Sequence, residues 1–246
     1  MRIVQLTDLH LPPAGTTTNL QVDTQRNFLD LLPQAAALKP DLLVLSGDLC
    51  YDVADTATYH WVREQMDALD IPYAVIAGNH DDSSWLGSAF ELIVQQKEVY
   101  FEHPIGQQPV FFLDTAVATI SDVQLAWLAA QLASSEGPML LFMHHPPFPV
   151  GMPFMDQAWP FRRSEDLMAV LTRYPAPVYI FCGHYHTERV AHFANVSVHI
   201  TPSLYFQLDT ESTEPVVEHT RIALRVIDFQ EGRLFTAVRY FDGHQV

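Results

Sequence analysis

Histidine and acidic side chains occur in five short clusters, and each cluster directly follows a run of apolar residues. The clusters are Asp8-Leu9-His10, Gly47-Asp48, Gly78-Asn79-His80-Asp81, His144-His145-Pro146-Pro147 and Gly183-His184-Tyr185-His186. Carboxylate, amide and imidazole groups together suit divalent ions such as Mn, Fe, Zn or Co. If the clusters meet, their carboxylates would repel one another without a compensating charge. The clusters therefore predict a site for two divalent cations.

The residue types suggest different parts in such a site. Asp48 has two carboxylate oxygens and could bridge two cations, although an aspartate here could also simply cap a turn. Asn79 offers an amide oxygen, and His80, which follows it directly, could face a substrate instead of a cation. His144 is favoured as a ligand over His145, which could contact substrate, support a ligand or pack in the core. No cysteine joins these clusters, which disfavours a closed structural zinc site.

The sequence contains two Asp-x-His pairs and one His-x-His pair. Asp8 with His10 and His184 with His186 both follow apolar runs, and each histidine of the second pair could serve a different cation. Asp242-Gly243-His244 has the same spacing but lies near the C-terminal end of the sequence. Because chain ends are usually mobile surface, we expect no functional role for this third pair.

The apolar runs that precede the clusters predict buried β-strands. The runs are nearly continuous, as expected for strands covered on both faces, and segments with helical spacing lie between them. This alternation predicts crossover connections in a parallel or mixed sheet, where ligands bind beyond the carboxyl ends of the strands. The runs are Ile3–Leu6, Leu42–Leu45, Tyr73–Ala77, Met139–Met143 and Val178–Cys182, and the helical segments are Thr24–Leu38, Thr56–Leu69, Ser84–Val94, Asp122–Ala133 and Arg162–Arg173.

We expect all five clusters at one edge of one sheet, and Asp122 as the N-cap of its helix. The C-terminal third adds strand-like runs such as Arg189–Phe193, Thr220–Asp228 and Leu234–Phe241, which predict a second sheet packed in the same domain. Together these elements predict an α/β protein. Its architecture would be a two-sheet α/β sandwich, with mixed sheets flanked by helices and a single domain over residues 1–246.

The composition excludes several classes of partner. Thirteen Lys and Arg residues stand against 29 Asp and Glu residues, which gives a formal net charge of −16. This charge would repel phosphate backbones and anionic lipids, so we expect neither a nucleic acid polymer nor a membrane as partner. No apolar run is long enough to span a bilayer, and the N-terminal residues show no signal-peptide pattern. The two cysteines lie in separate apolar segments, so the cytoplasm is the expected compartment.

The order and content of the five clusters resemble those of the calcineurin-like metallophosphoesterases, and the resemblance covers nearly the whole chain. Within that superfamily, the sequence is similar to class III cyclic nucleotide phosphodiesterases and bacterial glycerophosphodiesterases. The resemblance implies that His80 acts on the substrate phosphate or leaving group. It also implies one cation held by Asp8, His10, Asp48 and His186, and a second held by Asp48, Asn79, His144 and His184.

The sequence departs from some branches of the superfamily. Protein phosphatases of the superfamily carry Arg-Gly after the bridging aspartate and Glu after Asn-His, whereas Leu49 and Asp81 stand at these places. Tyr51 and Tyr185 occupy positions where many relatives have a smaller polar residue or Asn, so the shape of the pocket cannot be copied from them. We take Tyr51 and His145 as candidate substrate-binding residues.

These considerations predict a dinuclear-metal phosphodiesterase that hydrolyses small phosphodiesters, such as cAMP or glycerophosphodiesters, through attack of a metal-activated hydroxide on phosphorus. One alternative is a phosphomonoesterase acting on a small phosphorylated metabolite. A non-catalytic scaffold of the same fold is less favoured, because every ligand position is filled. The segment Phe148–Phe161 is interpreted as a lid or substrate wall, a dimer contact, or a loop packed on the core, and a homo-oligomer is consistent with its apolar residues. We assign no catalytic role to Leu204-Tyr205-Phe206-Gln207, which resembles a segment near the site in the family.

Overall fold

The computed structural model describes residues 1–246, which form thirteen strands and six helices. The strands are β1 (Arg2–Leu6), β2 (Leu42–Ser46), β3 (Tyr73–Ile76), β4 (Phe101–Glu102), β5 (Val110–Phe112), β6 (Met139–Phe142), β7 (Val178–Cys182), β8 (Arg189–Phe193), β9 (Val196–Ile200), β10 (Gln207–Leu208), β11 (Val217–His219), β12 (Ile222–Gln230) and β13 (Arg233–Phe241). The helices are α1 (Thr24–Ala37), α2 (Thr56–Asp67), α3 (Ser83–Ala89), α4 (Asp122–Ser134), α5 (Pro153–Ala158) and α6 (Ser164–Leu171).

Two mixed sheets contain all strands except the short pair β10-β11. The first sheet has the order β13-β12-β1-β2-β3 and the second has the order β4-β5-β6-β7-β9-β8. β1, β2 and β3 run parallel to one another, as do β5, β6, β7 and β9. Antiparallel strands complete the sheets, namely β12 and β13 in the first and β4 and β8 in the second.

The sheets pack face to face through a shared apolar layer, and helices cover their outer faces. On β2, Leu42 and Val44 pack with Phe142 of the second sheet, whereas Leu43 and Leu45 pack with α1, α2 and α3. Helices α4 and α6 cover the second sheet in the same way. Burying each such side chain is worth about 1.5–3 kcal/mol, which explains why the strand sequences are apolar on both faces. The predicted α/β sandwich is therefore confirmed.

The expected distribution of strands between the sheets is wrong. The five runs that carry the clusters are divided, with β1, β2 and β3 in the first sheet and β6 and β7 in the second. The C-terminal strands do not form a sheet of their own either. Strand β12 pairs with β1, placing Val226 opposite Val4, while β9 pairs with β7. The β1–β12 pairing joins distant parts of the chain, so it depends on long-range packing that local periodicity does not report.

The helix boundaries also differ in places from the predicted ones. Helix α3 ends at Ala89 and not at Val94, because the chain adopts a positive φ of 56° at Glu91. Ser121, not Asp122, caps α4, and its side chain accepts a hydrogen bond from the backbone of Gln124. The segment Phe148–Phe161 contains the short helix α5.

Candidate metal centre

The loops that follow β1, β2, β3, β6 and β7 meet at one place, because the carboxyl ends of both sheets lie on the same side of the sandwich. The ligand atoms there fall into three groups, and within each group they lie within 4.8 Å of one another. The groups are Asp8, His10 and His186; His10, Asp48 and His80; and Asp48, His144 and His184. His10 and Asp48 each belong to two groups, so the groups form one continuous cluster.

The first group lies between β1 and β7 and is drawn from both sheets. The Nε2 atom of His186 lies 3.0 Å from Nε2 of His10 and 3.3 Å from Oδ1 of Asp8. The backbone N–H of His184 donates to both carboxylate oxygens of Asp8, with N···O distances of 3.0 and 3.1 Å. These contacts fix Asp8 against the loop after β7.

The neighbouring group is centred on His144 and Asp48. Oδ2 of Asp48 lies 3.2 Å from Nε2 of His144 and 3.8 Å from Nε2 of His10. Nδ1 of His144 donates to the backbone oxygen of Ser46 at 2.8 Å, which directs Nε2 towards the cluster. Oδ1 of Asp48 accepts from the backbone N–H of His80 at 2.9 Å. Asp48 therefore has one oxygen held by the chain and one facing the histidines.

Left-handed backbone conformations bend the chain at the site. Positive φ angles of 45–68° occur at Asp8, His10, Asp48, His184 and His186. Such conformations are uncommon for residues other than glycine, cost about 1–3 kcal/mol each and concentrate at functional sites. In both pairs of ligands separated by one residue, the ligand residues adopt this conformation while the intervening Leu9 or Tyr185 is buried. The bend explains how a spacing of two can direct both side chains to one cluster.

Glycines before two of the ligand residues allow the loops to approach closely. A Cβ atom on Gly183 would overlap Oγ1 of Thr7 and Oδ2 of Asp8. Gly47 has a φ of 102°, and a Cβ there would overlap the ring of His144. The two glycines are therefore required by the packing of the cluster itself.

We expect Gly183→Ala to weaken cation binding by at least about tenfold, a loss typical when the support of a ligand is disturbed. The added methyl group must displace Asp8 or the loop after β7. Isothermal titration of the chelator-treated protein with Mn²⁺ measures the effect. Gly15→Ala is the control, since a Cβ atom on Gly15 has no neighbour within 4 Å. The positive φ of 78° at Gly15, which Gly183 does not share, makes this substitution locally strained without touching the cluster. Unchanged Mn²⁺ affinity in Gly183→Ala would show that the loop can move without disturbing the cluster.

Burial and the charges of neighbouring side chains shift the pKa values of the residues in the cluster. Burial opposes ionisation of Asp8, yet the charges of His186 and His144 prevail and lower its pKa to about 2. Burial likewise opposes the charged form of His144, but Asp48 and Asp8 raise its pKa to about 9. Burial and a neighbouring imidazole lower the pKa values of His10 and His184 to about 3, so both rings are neutral at pH 7.

The cluster has the character of a cation site. Nδ1 of His186 is buried without a hydrogen-bond partner, and Nε2 of His144 faces Oδ2 of Asp48 at 3.2 Å. The neutral ring of His10 offers a lone pair, and its Nε2 atom faces Nε2 of His186 at a distance of 3.0 Å. Buried carboxylates that face several imidazole nitrogens fit divalent cations.

The cluster forms the floor of a cavity of about 650 Å³. Among the predicted site residues, the cavity lining includes His10, Asp48, Asn79, His80, His184, His186 and Tyr51. Aromatic side chains make much of the remaining wall, namely Phe154, Trp159, Tyr205 and Phe206. The segment that contains α5 therefore forms a cavity wall with Phe154, Met155 and Trp159, while its Met152 is buried in the core.

His80 is partly exposed at the cavity. Its Nδ1 donates to the backbone oxygen of Asp52 at 3.0 Å, because a carbonyl oxygen can only accept. Its ring lies edge-on to that of His10, with 5.0 Å between the centroids. The remaining nitrogen, Nε2, is therefore free for another partner.

The substrate contact predicted for His145 is not supported by the geometry. His145 is buried, is absent from the cavity wall and packs on His184 with 4.1 Å between ring centroids. Tyr51 does line the cavity. Tyr185 does not, because its hydroxyl donates to Asp156 beneath α5. His145 follows β6 and His184 follows β7, and the two rings meet because these strands are neighbours in the sheet. The His-His-Pro-Pro pattern alone does not reveal this contact.

Two residues to which sequence reasoning gave no role are part of the site. Tyr205 lies 5.5 Å from His10 and Phe206 lies 4.5 Å from His186, measured between ring centroids. The preceding Ser203 donates its hydroxyl to the backbone oxygen of Asp8. The available signal was position, since this segment follows β9 at the same end of the sheet as the loop after β7.

Asp81 is a further residue whose part was not predicted. Its carboxylate accepts from the backbone N–H groups of Gly78 and Leu49 and from the hydroxyl of Tyr59. Burial and the charge of Asp48 raise its pKa to about 6. Asp81 thus connects the loop after β2 to the loop after β3 through hydrogen bonds.

No helix of this structure has the length and apolar character that crossing a membrane requires.

Comparison with known proteins yields several relatives. The family model described as Calcineurin-like phosphoesterase matches residues 1–188. A protein of Fibrobacter succinogenes named "Probable cyclic nucleotide phosphodiesterase" is 32% identical, covering 98% of this chain and 94% of the relative. The 3',5'-cyclic adenosine monophosphate phosphodiesterase CpdA of Escherichia coli is 30% identical, covering 97% and 89%. The glycerophosphodiester phosphodiesterase GpdQ of Enterobacter lignolyticus is 27% identical, covering 87% and 82%.

Solved structures show the same fold. A dimetal phosphatase from Danio rerio superposes with a TM-score of 0.75 at 14% identity, covering 97% of this chain and 96% of that one. The family match spans most of the sequence and includes all five clusters. The resemblance inferred from those clusters is therefore confirmed. The chain belongs to the calcineurin-like phosphoesterase family, whose members are hydrolytic metallophosphoesterases.

Proposed function

We propose that this protein is a metal-dependent phosphodiesterase that hydrolyses small phosphodiesters, either cyclic nucleotides such as cAMP or glycerophosphodiesters. The observation that carries the proposal is the continuous cluster of ligand groups around Asp48 at the floor of a cavity. Relatives that align over most of this chain are named as phosphodiesterases of these two kinds. A cavity of about 650 Å³ is large enough for such small substrates.

The cluster would hold two divalent cations of Mn, Fe, Zn or Co. One would be held by Asp8, His10, Asp48 and His186, and the other by Asp48, Asn79, His144 and His184. When bound, such a pair of cations stabilises charge on phosphoryl oxygens and lowers the pKa of water. The cations also supply positive charge where the protein, with a formal charge of −16, would otherwise repel an anionic substrate.

His80 would act on the leaving group. Its Nδ1 is committed to the backbone oxygen of Asp52, so a proton for the departing alkoxide would be carried on Nε2. Tyr51 and the aromatic wall would contact the remainder of the substrate and exclude water from it. His145 would instead support the ring of His184. A cytoplasmic location, a single domain over residues 1–246 and self-association complete the proposal.

Turnover of diesters and monoesters by the Mn²⁺-loaded protein tests this function. We expect bis-p-nitrophenyl phosphate to be hydrolysed at least about tenfold faster than p-nitrophenyl phosphate, because the site would select for the second ester group. Cyclic AMP and glycerophosphoethanolamine then separate the two substrate kinds. The reverse preference would identify a phosphomonoesterase. Bound Mn²⁺ without turnover of any of these compounds would favour a non-catalytic role.

A further inference from the structure

A buried polar layer lies between the two sheets, directly beneath the metal centre. It consists of Gln5, Ser46, Thr201 and Arg225, each at most 1% exposed. Deeper between the sheets, the corresponding positions are apolar, including Ile3 on β1 and Ile227 on β12. Buried polar side chains require hydrogen-bond partners, so the partners of this layer show what it holds together.

Gln5 joins the ends of two strands that lead into the metal centre. Its Nε2 donates to Oγ of Ser46 at 2.7 Å and to the backbone oxygen of Cys182 at 3.3 Å. Ser46 is the last residue of β2 and Cys182 is the last residue of β7. The carbonyl of Cys182 can only accept, which fixes the orientation of the amide. One side chain of β1 therefore connects the loop that carries Asp48 to the loop of the second sheet.

Arg225 determines the direction of the hydrogen bonds that reach Gln5. Its Nε donates to Oγ1 of Thr201 at 2.8 Å. Because a guanidinium has no acceptor, the proton of the Thr201 hydroxyl is directed at Oε1 of Gln5, 2.6 Å away. Burial lowers the pKa of Arg225 to about 10, so the group still carries its proton at neutral pH. The order of donation runs from Arg225 through Thr201 and Gln5 to Ser46.

We propose that Gln5 is a positioning residue that sets the separation between the ligand loops of the two sheets. The backbone oxygen of Ser46 accepts a hydrogen bond from Nδ1 of His144, so a shift of Ser46 would also move this candidate ligand. Asp48 lies two residues after Ser46 in the sequence, and His184 lies two residues after Cys182. This inference rests on the proposed metal site, since its effect is exerted on residues that would bind the cations.

Gln5→Leu tests the proposal in the full-length protein. It keeps a side chain of similar size and removes the three hydrogen bonds. We expect chelator-treated Gln5→Leu to bind Mn²⁺ about 10–100-fold more weakly, the loss typical for groups that orient metal ligands. The matched control is Ile3→Ala, at a fully buried position of the same strand and the same inter-sheet layer. It should lower the melting temperature while leaving Mn²⁺ affinity unchanged. If Gln5 contributed to stability alone, Gln5→Leu would likewise lower the melting temperature and leave Mn²⁺ affinity unchanged.

Thr201→Val provides a second, milder variant, because it keeps the shape of the side chain and removes only the hydroxyl. We expect a smaller loss of Mn²⁺ affinity than in Gln5→Leu, and this variant decides the matter if Gln5→Leu does not fold. Affinity within twofold of the parent in the folded variants would overturn the positioning role. If the parent itself bound no Mn²⁺, the metal site and this inference would fail together. If the parent bound Mn²⁺ but hydrolysed no diester, only the proposed function would fail.

Discussion

Asp48→Ala is expected to abolish turnover and to prevent loading of both cations. Asp48 is 2% exposed, and it is the one carboxylate that belongs to two of the three ligand groups. Its removal leaves Asp8 as the only carboxylate within those groups and leaves the buried charge of His144 with a single partner at 3.9 Å. Elemental analysis after Mn²⁺ reconstitution, together with turnover of bis-p-nitrophenyl phosphate, measures both losses.

Two further variants make the interpretation of Asp48 specific. Asp48→Asn keeps the shape and can still accept from the N–H of His80, so any loss that it shares with Asp48→Ala must come from the charge. Asp242→Ala removes an aspartate from the other Asp-x-His pair, whose His244 contacts Asp30 away from the site. It should retain the full content of Mn²⁺. Normal loading in Asp48→Ala would contradict a bridging position.

His80→Ala is expected to retain its cations and to lose about 10²–10⁴-fold in turnover, the usual contribution of a positioned general acid. The loss should be larger for cAMP, whose leaving alkoxide is basic, than for bis-p-nitrophenyl phosphate, whose leaving phenolate is stable without a proton. Single-substrate kinetics on both compounds measure the ratio. His60→Ala is the control, since His60 is exposed on α2 and contacts none of the clusters.

A different outcome for His80 would also be informative. The structure places a ring nitrogen of His80 near those of His10 and oxygens of Asp48, within 4.8 Å. Loss of Mn²⁺ from His80→Ala would therefore show that this ring binds a cation. An equal loss of turnover on both substrates would contradict proton transfer to the leaving group.

The strands and the clusters could be predicted because their signals are local. A strand covered on both faces is mostly apolar, as in Leu42–Leu45, and the polar residues that follow it lie at the sheet edge. The φ values at Asp8 and His10 explain why the short Asp-x-His spacing was a valid signal. Seven of the residues in the predicted clusters therefore lie together in the three candidate ligand groups, namely Asp8, His10, Asp48, His80, His144, His184 and His186.

The pairing of distant strands and the walls of the cavity could not be predicted. Strand β12 pairs with β1 through residues that lie 220–226 positions apart in the sequence, and hydrophobic periodicity contains no information about such partners. Phe154, Trp159 and Tyr205 are apolar residues in loops, and a loop aromatic can equally face a cavity or the core. Met152, which is buried in the core two residues before the cavity-lining Phe154, illustrates the ambiguity.

If the candidate ligands bind cations as proposed, their division between two sheets links cation supply to the lifetime of the protein. A partly folded chain with only one sheet formed would present an incomplete set of ligands, so cations bind to the docked sandwich alone. A ligand with this preference stabilises the native state by about 2.7 kcal/mol at a concentration 100 times its Kd. When metal is scarce, a larger fraction of the chain would be unfolded and open to proteolysis. The half-life of the protein in the presence of a protease would therefore depend on the metal concentration, and it could be measured without a substrate.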